Sequence, residues 1–201
     1  GGLDFEVGLA PVYAGVEIIN PEKNIPKTVL STTKENGRIY YRGAELSKNF
    51  ATYRKDRGEV FGVVGARYEP IQNTEAFEFF DSIIGEGHAK YETVGALGNG
   101  ERVFITAKLP EKLKVNKDDI DQYLLLTMAH DGSGAIIVMF TTVRVVCNNT
   151  LTMALGQKGN KVSIRHTKNA RVRLEKAKEI LGIVDYNSAA LQEYYNNLAV
   201  T

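Results

Sequence analysis

The groups in this 201-residue chain that could carry chemistry are three histidines, a single cysteine and a few clustered carboxylates. His130-Asp131 opens a glycine-rich stretch, Asp131-Gly132-Ser133-Gly134, and His166 follows Arg165. An enzyme acting on nucleic acid or a nucleotide, metal-dependent or not, would need His130, Asp131 and His166 within about 10 Å of one another in an accessible cleft. Cys147, set among Val145, Val146 and Leu151, reads as a small core residue. As a nucleophile it would need a depressed pKa and an adjacent base. None of the histidines forms a His-x-x-x-His ligand pair. Asp118, Asp119 and Asp121 are expected to open a short helix, where the helix dipole accounts for them. Gly95-x-x-Gly98-x-Gly100 lies between two strands and reads as a hairpin turn, not a phosphate-cradling loop before a helix. The sequence therefore assigns no catalytic residue, no metal ligand and no cofactor.

The charge distribution says more. Residues 158–178 hold eight cations and one acid, Glu175, so this segment carries seven net positive charges in a chain whose formal total is +1. Solvated helices normally interleave acids as i,i+4 partners, and here they are nearly absent. The run also crosses a loop, a short strand and a helix, so it is more than one helical face. Such a surface is an electrostatic footprint for phosphates. Lys158, Lys161, Arg165, Lys168, Arg171 and Arg173 are the expected phosphate contacts. Arg144, Asn148 and Asn149 would position the strand, and His166 would add charge below about pH 6.5. Phe104, Tyr123 and Phe140 would serve as stacking platforms if any of them faced outward, although each also suits a core.

The elements that must hold these residues read as follows. Phe5, Val7 and Leu9 alternate with polar or small residues, the period of a half-buried strand. Lys27–Thr33 and Arg38–Arg42 flank the turn dipeptide Asn36-Gly37, and Glu59–Ala66 is a short Val-rich strand. Asn73 is placed to cap a helix whose buried face is Ala76, Phe77, Phe80, Ile83 and Ile84, with Gly85 and Gly87 stopping it. Two hairpins follow, Thr93–Leu97 with Arg102–Leu109, and Gln122–His130 with Ala135–Thr141, the last pair apolar and central. Arg144–Leu155 reads as a helix, Val162–Arg165 as a brief strand, and Lys168–Leu181 as a helix burying Ala170, Leu174, Ala177 and Leu181. Asn187 would cap a last helix, Ser188–Ala199. Strands joined by hairpins, with helices late in the chain, predict α+β: an antiparallel sheet with helices packed on one side. One domain is expected over residues 1–201, with 183–201 as a C-terminal helical extension.

One cysteine excludes an internal disulfide framework and points to a reducing compartment, the cytoplasm of a bacterial host. No apolar run approaches the roughly 20 residues of a membrane-spanning helix. The first residues lack a signal peptide's basic start and apolar core. An opening without Met and an end at Thr201 inside a helical pattern suggest a piece of a longer protein.

Several segments carry a family resemblance. Phe61–Asn73, Gly95–Gly100, His130–Ser133, Arg144–Leu151 and Arg165-His166-Thr167 together resemble a phage- and plasmid-borne family, the domain of unknown function numbered 932, over roughly residues 3 to 200. That family implies no settled activity. Gly2–Val7 is similar to the opening strand of Rad-fifty-two-like single-strand annealing proteins, and Met153-Ala154-Leu155 to the end of their helix. The helix departs from that pattern in carrying only Arg144, with the basic cluster placed after it. This likeness implies a non-enzymatic factor that forms homo-oligomeric rings or filaments and holds single-stranded DNA in a basic groove. The expected function is therefore single-stranded DNA binding or annealing in phage or plasmid recombination. The alternatives are the enzyme above, or a module that binds an acidic host protein through its basic surface.

Overall fold

The computed structural model describes residues 2–17, 31–35, 38–84, 89–115, 118–157 and 161–180. The expected Asn36-Gly37 turn, the Gly85/Gly87 stop, His88, Lys158 and the helix after Asn187 lie outside these residues. The fold is α+β, with two antiparallel sheets and three helices among the described residues.

The first sheet is organised around one long strand. β3 (Arg38–Arg54) pairs on one side with β1 (Val7–Glu17) and on the other with β2 (Ser31–Glu35) at its start and β4 (Val60–Gly65) at its end. The second sheet is a meander in which each strand neighbours the next: β5 (Lys90–Leu97), β6 (Arg102–Val115), β7 (Asp118–Ala129), β8 (Ile136–Thr141) and β9 (Lys161–Ile164). The turn between β5 and β6 has Gly98 and Gly100 at positive φ, as that hairpin's glycines require. β7 is the middle strand. Its residues Gln122–Ala129 are buried without alternation, because both faces of the sheet are covered.

Two helices cover one face and the third covers the other. α1 (Asn73–Ile84) and α3 (Ala170–Ile180) bring Phe79, Phe80, Ala170 and Leu174 onto Ile105, Leu124 and Val138. α2 (Asn148–Gly156) packs Leu151 and Ala154, with Val145, onto Phe104, Leu125 and Met139 on the opposite face. Phe104, Tyr123 and Phe140 are all buried, so none offers an outward stacking platform. No helix among the described residues is long and apolar enough to cross a membrane.

Four local readings change. Asp118, Asp119 and Asp121 open a strand, not a helix. They stand across from Val115, Lys114 and Lys112 on β6, and Lys108 Nζ lies 2.6 Å from Asp121 Oδ2. Opposite charges across an antiparallel pair stabilise both strands and account for these acids. α2 begins at Asn148 and not at Arg144. The β-branched run before it forms no helix, Cys147 is extended, and the Thr150 hydroxyl accepts the Val146 and Cys147 N–H groups at the helix start. Cys147 is exposed at that start instead of buried in the core. Of the expected face of α1, Ala76, Phe80 and Ile84 are buried, joined by Phe79, while Phe77 is only half-buried and the Ile83 side chain lies outside the described residues.

The two sheets meet where β4 crosses the turn that leaves β7. A Cβ at Gly62 would stand 2.4 Å from the Asp131 carbonyl oxygen, so glycine permits that approach. Gly132, at φ 81°, tucks its backbone against Val64. Arg54 ties the sheets a second time: its guanidinium donates to Asp56 and to the Asn99 carbonyl, and lies 4.1 Å from the Phe5 ring centroid.

Candidate nucleic-acid interface

At the junction of the sheets lies a cleft of about 950 Å³, near the upper end of the roughly 300–1,000 Å³ typical of ligand sites. Four chain segments build its walls: Lys48 of β3, the Gly65–Tyr68 loop after β4, the Gly132–Ala135 turn after β7, and Arg165–Thr167 between β9 and α3. Lys48, Arg67 and Arg165 are exposed. Among the described residues none of the three is ion-paired.

The inner wall is a packed set of rings. His166 stacks on Tyr68, with centroids 4.9 Å apart and planes 20° apart. His130 lies beyond it, its centroid 6.3 Å from that of His166, and stacks on Phe61 at 6.0 Å. The Tyr68 hydroxyl points at the Ala129 and His130 carbonyls, at 3.4 and 3.5 Å. Burial, with the Asp131 charge adding to it, raises the Tyr68 pKa and keeps that hydroxyl protonated.

His130 is fully buried. Asn73 does not cap its helix; its amide turns inward. Nδ2 points at the Phe5 carbonyl (3.5 Å) and Oδ1 lies 2.8 Å from His130 Nε2. An amide oriented this way requires the proton on Nε2, which leaves Nδ1 without a partner. The capping role passes to Glu75, whose carboxylate accepts the Gln72 N–H at 2.9 Å. Burial above all, then the neighbouring His166, lowers the His130 pKa to about 4, against the pull of Asp131. Burial lowers His166 to about 4 as well, opposed by the Glu69 backbone. Both rings are therefore neutral at pH 7, and His166 contributes no charge.

His130, Asp131 and His166 do come together, as an enzyme would require, but not in a working arrangement. His130 is sealed from the cleft, and the Asp131 carboxylate is engaged by the Ser133 N–H and hydroxyl at 2.8 and 2.6 Å. No group of three metal-ligating side chains gathers among the described residues. Cys147 has a thiol pKa lowered by the Thr150 N–H, the Thr150 hydroxyl and the Asn149 N–H, but the side chain beside its sulfur, Thr150, is no base.

Of the residues expected to meet phosphate, Arg165 and His166 line the cleft. Arg171 is neutralised instead: it donates to both Glu75 oxygens at 2.8 and 3.2 Å and to Glu69 at 3.1 Å. Burial works against the Glu75 charge, yet the Arg171 and Gln72 donors outweigh it and hold that carboxyl below its usual range. Arg171 thus fastens α3 to α1 and to the loop that walls the cleft. Arg144 pairs with Glu92 at 2.5 Å. Asn148 and Asn149 are exposed in the first turn of α2, away from the cleft lining. Lys161, Lys168 and Arg173 are exposed outside the lining, and Lys158 lies outside the described residues. The sequence reading missed Lys48 and Arg67. Arg67 fell inside a segment carrying the family resemblance, but nothing marked its charge for this cleft, and Lys48 has no local signal at all.

Neither the curated proteins nor the solved structures contain a match to this chain. Residues 60–201, from β4 onward, match the model of the family described as Domain of unknown function (DUF932), and the chain belongs to that family.

Proposed function

We propose that this member of the family binds single-stranded DNA in the cleft between its sheets and serves strand annealing in phage or plasmid recombination, as a homo-oligomer. The supporting observation is the convergence of Lys48, Arg67 and Arg165, from three separate segments, on one cleft with no carboxylate paired to any of them among the described residues. Arg54, Arg144 and Arg171, by contrast, have acid partners. Three left open around a concave surface suit an acceptor-rich polyanion. The dimensions favour one strand over a duplex, because a cleft of about 950 Å³ admits nucleotide-sized units and not a double helix. Lys161 and Lys168, exposed on the same basic segment, extend the positive field along a strand leaving the cleft.

The test is fluorescence anisotropy with a labelled single-stranded oligonucleotide and its duplex at low and moderate salt. The reading expects preference for the single strand and a log–log salt slope near −2, from about 0.7 per neutralised phosphate on single strands. No binding at low salt, or a preference for duplex, overturns it. Light scattering with and without DNA tests the oligomer.

A further inference from the structure

We infer that this chain pairs with a second copy of itself through the free edge of β5, the two strands running antiparallel about a twofold axis. The inference rests on the reading above for the homo-oligomer alone. It uses a surface apart from the cleft, since no β5 residue lines that cleft. β5 ends the second sheet: it pairs with β6, and among the described residues nothing pairs with its other edge. An open edge presents a row of unpaired N–H and C=O groups, which natural sheets defend with short strands and with charge. β9, at the far end of the same sheet, is defended in that way. It has four residues, with Lys161 exposed on it and Arg165 exposed just after it. β5 has no such defence over Thr93–Leu97, which carries no charge and keeps an unbroken register with β6. Beside this stretch Tyr91 and Val94 are 53% and 55% exposed, and Ala96 is exposed as well.

The charges select a second copy as the occupant. Glu92, the acid within the strand, is already paired with Arg144. Lys90, at the start of β5, is exposed and has no ion pair among the described residues. Past the other end, the Glu101 carboxylate folds back over Gly98 and accepts the Asn99 N–H at 2.6 Å. The edge is thus positive where it begins and negative where it ends. An antiparallel copy reverses that order, so Lys90 of each chain meets the Glu101 carboxylate of the other. The uncharged stretch 93–97 then opposes itself without like-charge repulsion. A parallel copy would set like charges together at both ends. Val94 and Ala96 of the two copies form one apolar row across the axis, flanked by the Tyr91 rings, each braced on Phe80. The regular stretch spans about 17 Å at about 3.4 Å per residue. So short an edge makes a small interface, with a dissociation constant on the order of micromolar.

The experiment is sedimentation velocity on the 201-residue chain without DNA, over roughly 1 to 100 μM, a range that brackets the expected dissociation constant. The wild type is expected to pass from monomer to dimer across that range. Val94→Lys, a surface change that sets two like charges beside the axis, should weaken dimerisation at least about tenfold. Lys90→Glu makes the contact with Glu101 repulsive and should weaken dimerisation about threefold. Lys90→Glu/Glu101→Lys should restore it, a rescue that a merely structural role would not give. Hydrogen exchange on the wild type covers the case in which a variant does not fold: amides of Thr93–Leu97 gain protection as the concentration rises. A wild type that stays monomeric, a dimer untouched by Val94→Lys, a charge swap without rescue, or amides at 93–97 indifferent to concentration would each overturn the inference. Anisotropy with a single-stranded oligonucleotide on the same samples separates the two claims. Dimers that bind no DNA overturn the reading of the cleft and leave this interface standing. Monomers that bind DNA overturn this interface and leave the cleft standing.

Discussion

The buried histidines make folding stability depend on pH in a window where few other groups titrate. An ordinary histidine has a pKa of 6.5, and His130 and His166 sit at about 4 in the fold. Below pH 6.5 the unfolded chain therefore binds protons that the native chain refuses, and stability falls as the pH drops from 6.5 toward 4. Between pH 7.5 and pH 5 each ring contributes a loss of about 2 kcal/mol, and the pair about 4 kcal/mol. That is a large share of the roughly 5–15 kcal/mol stability of a domain. Most carboxylates remain ionised throughout this range, so the effect belongs to the two rings. Urea unfolding followed by circular dichroism at several pH values measures it. His166→Phe should roughly halve the pH dependence. A free energy of unfolding that changes by less than about 0.5 kcal/mol over that interval would refute the burial of neutral rings.

Two further perturbations probe how the site is held. Gly62→Ala drives a methyl into the Asp131 carbonyl, 2.4 Å from the Cβ position, and should cost about 2–3 kcal/mol by forcing the sheets apart; an unchanged urea midpoint would deny that contact. Asn73→Ala removes the acceptor of the buried His130 Nε2–H and should cost about 2 kcal/mol; a stability equal to wild type would mean that this proton is held by something else.

Much of the second sheet was legible in the sequence, for a physical reason: its hairpins are local. Gly98-Asn99-Gly100 and Asp131-Gly132-Ser133-Gly134 mark turns by residue type, and the apolar run of β7 is long because two layers of helix cover it. Local signals misled where a distant partner decided the outcome. The acids at 118–121 look like the start of a helix until Lys108, Lys112 and Lys114 on β6 are seen across from them. Asn73 looks like a cap until His130 and Phe5 take its amide. The same holds for charge. The basic run of 158–178 was visible, but composition could not show that Glu69 and Glu75 reach back to cancel Arg171, nor that Lys48 and Arg67 join Arg165 from the first sheet.

The most direct test of the account asks whether the cleft, and not the basic segment as a whole, meets the phosphates. Salt titrations of single-stranded DNA binding should be run on Arg67→Gln/Arg165→Gln, inside the cleft, and on Arg173→Gln/Lys176→Gln, in the same basic run but off its lining. The cleft pair should weaken binding and flatten the log–log salt slope by about 1.4, two contacts at about 0.7 each. The off-cleft pair should leave the slope within about 0.3 of wild type. Equal losses from both pairs, or none from the cleft pair, would contradict the claim that the cleft is the binding site.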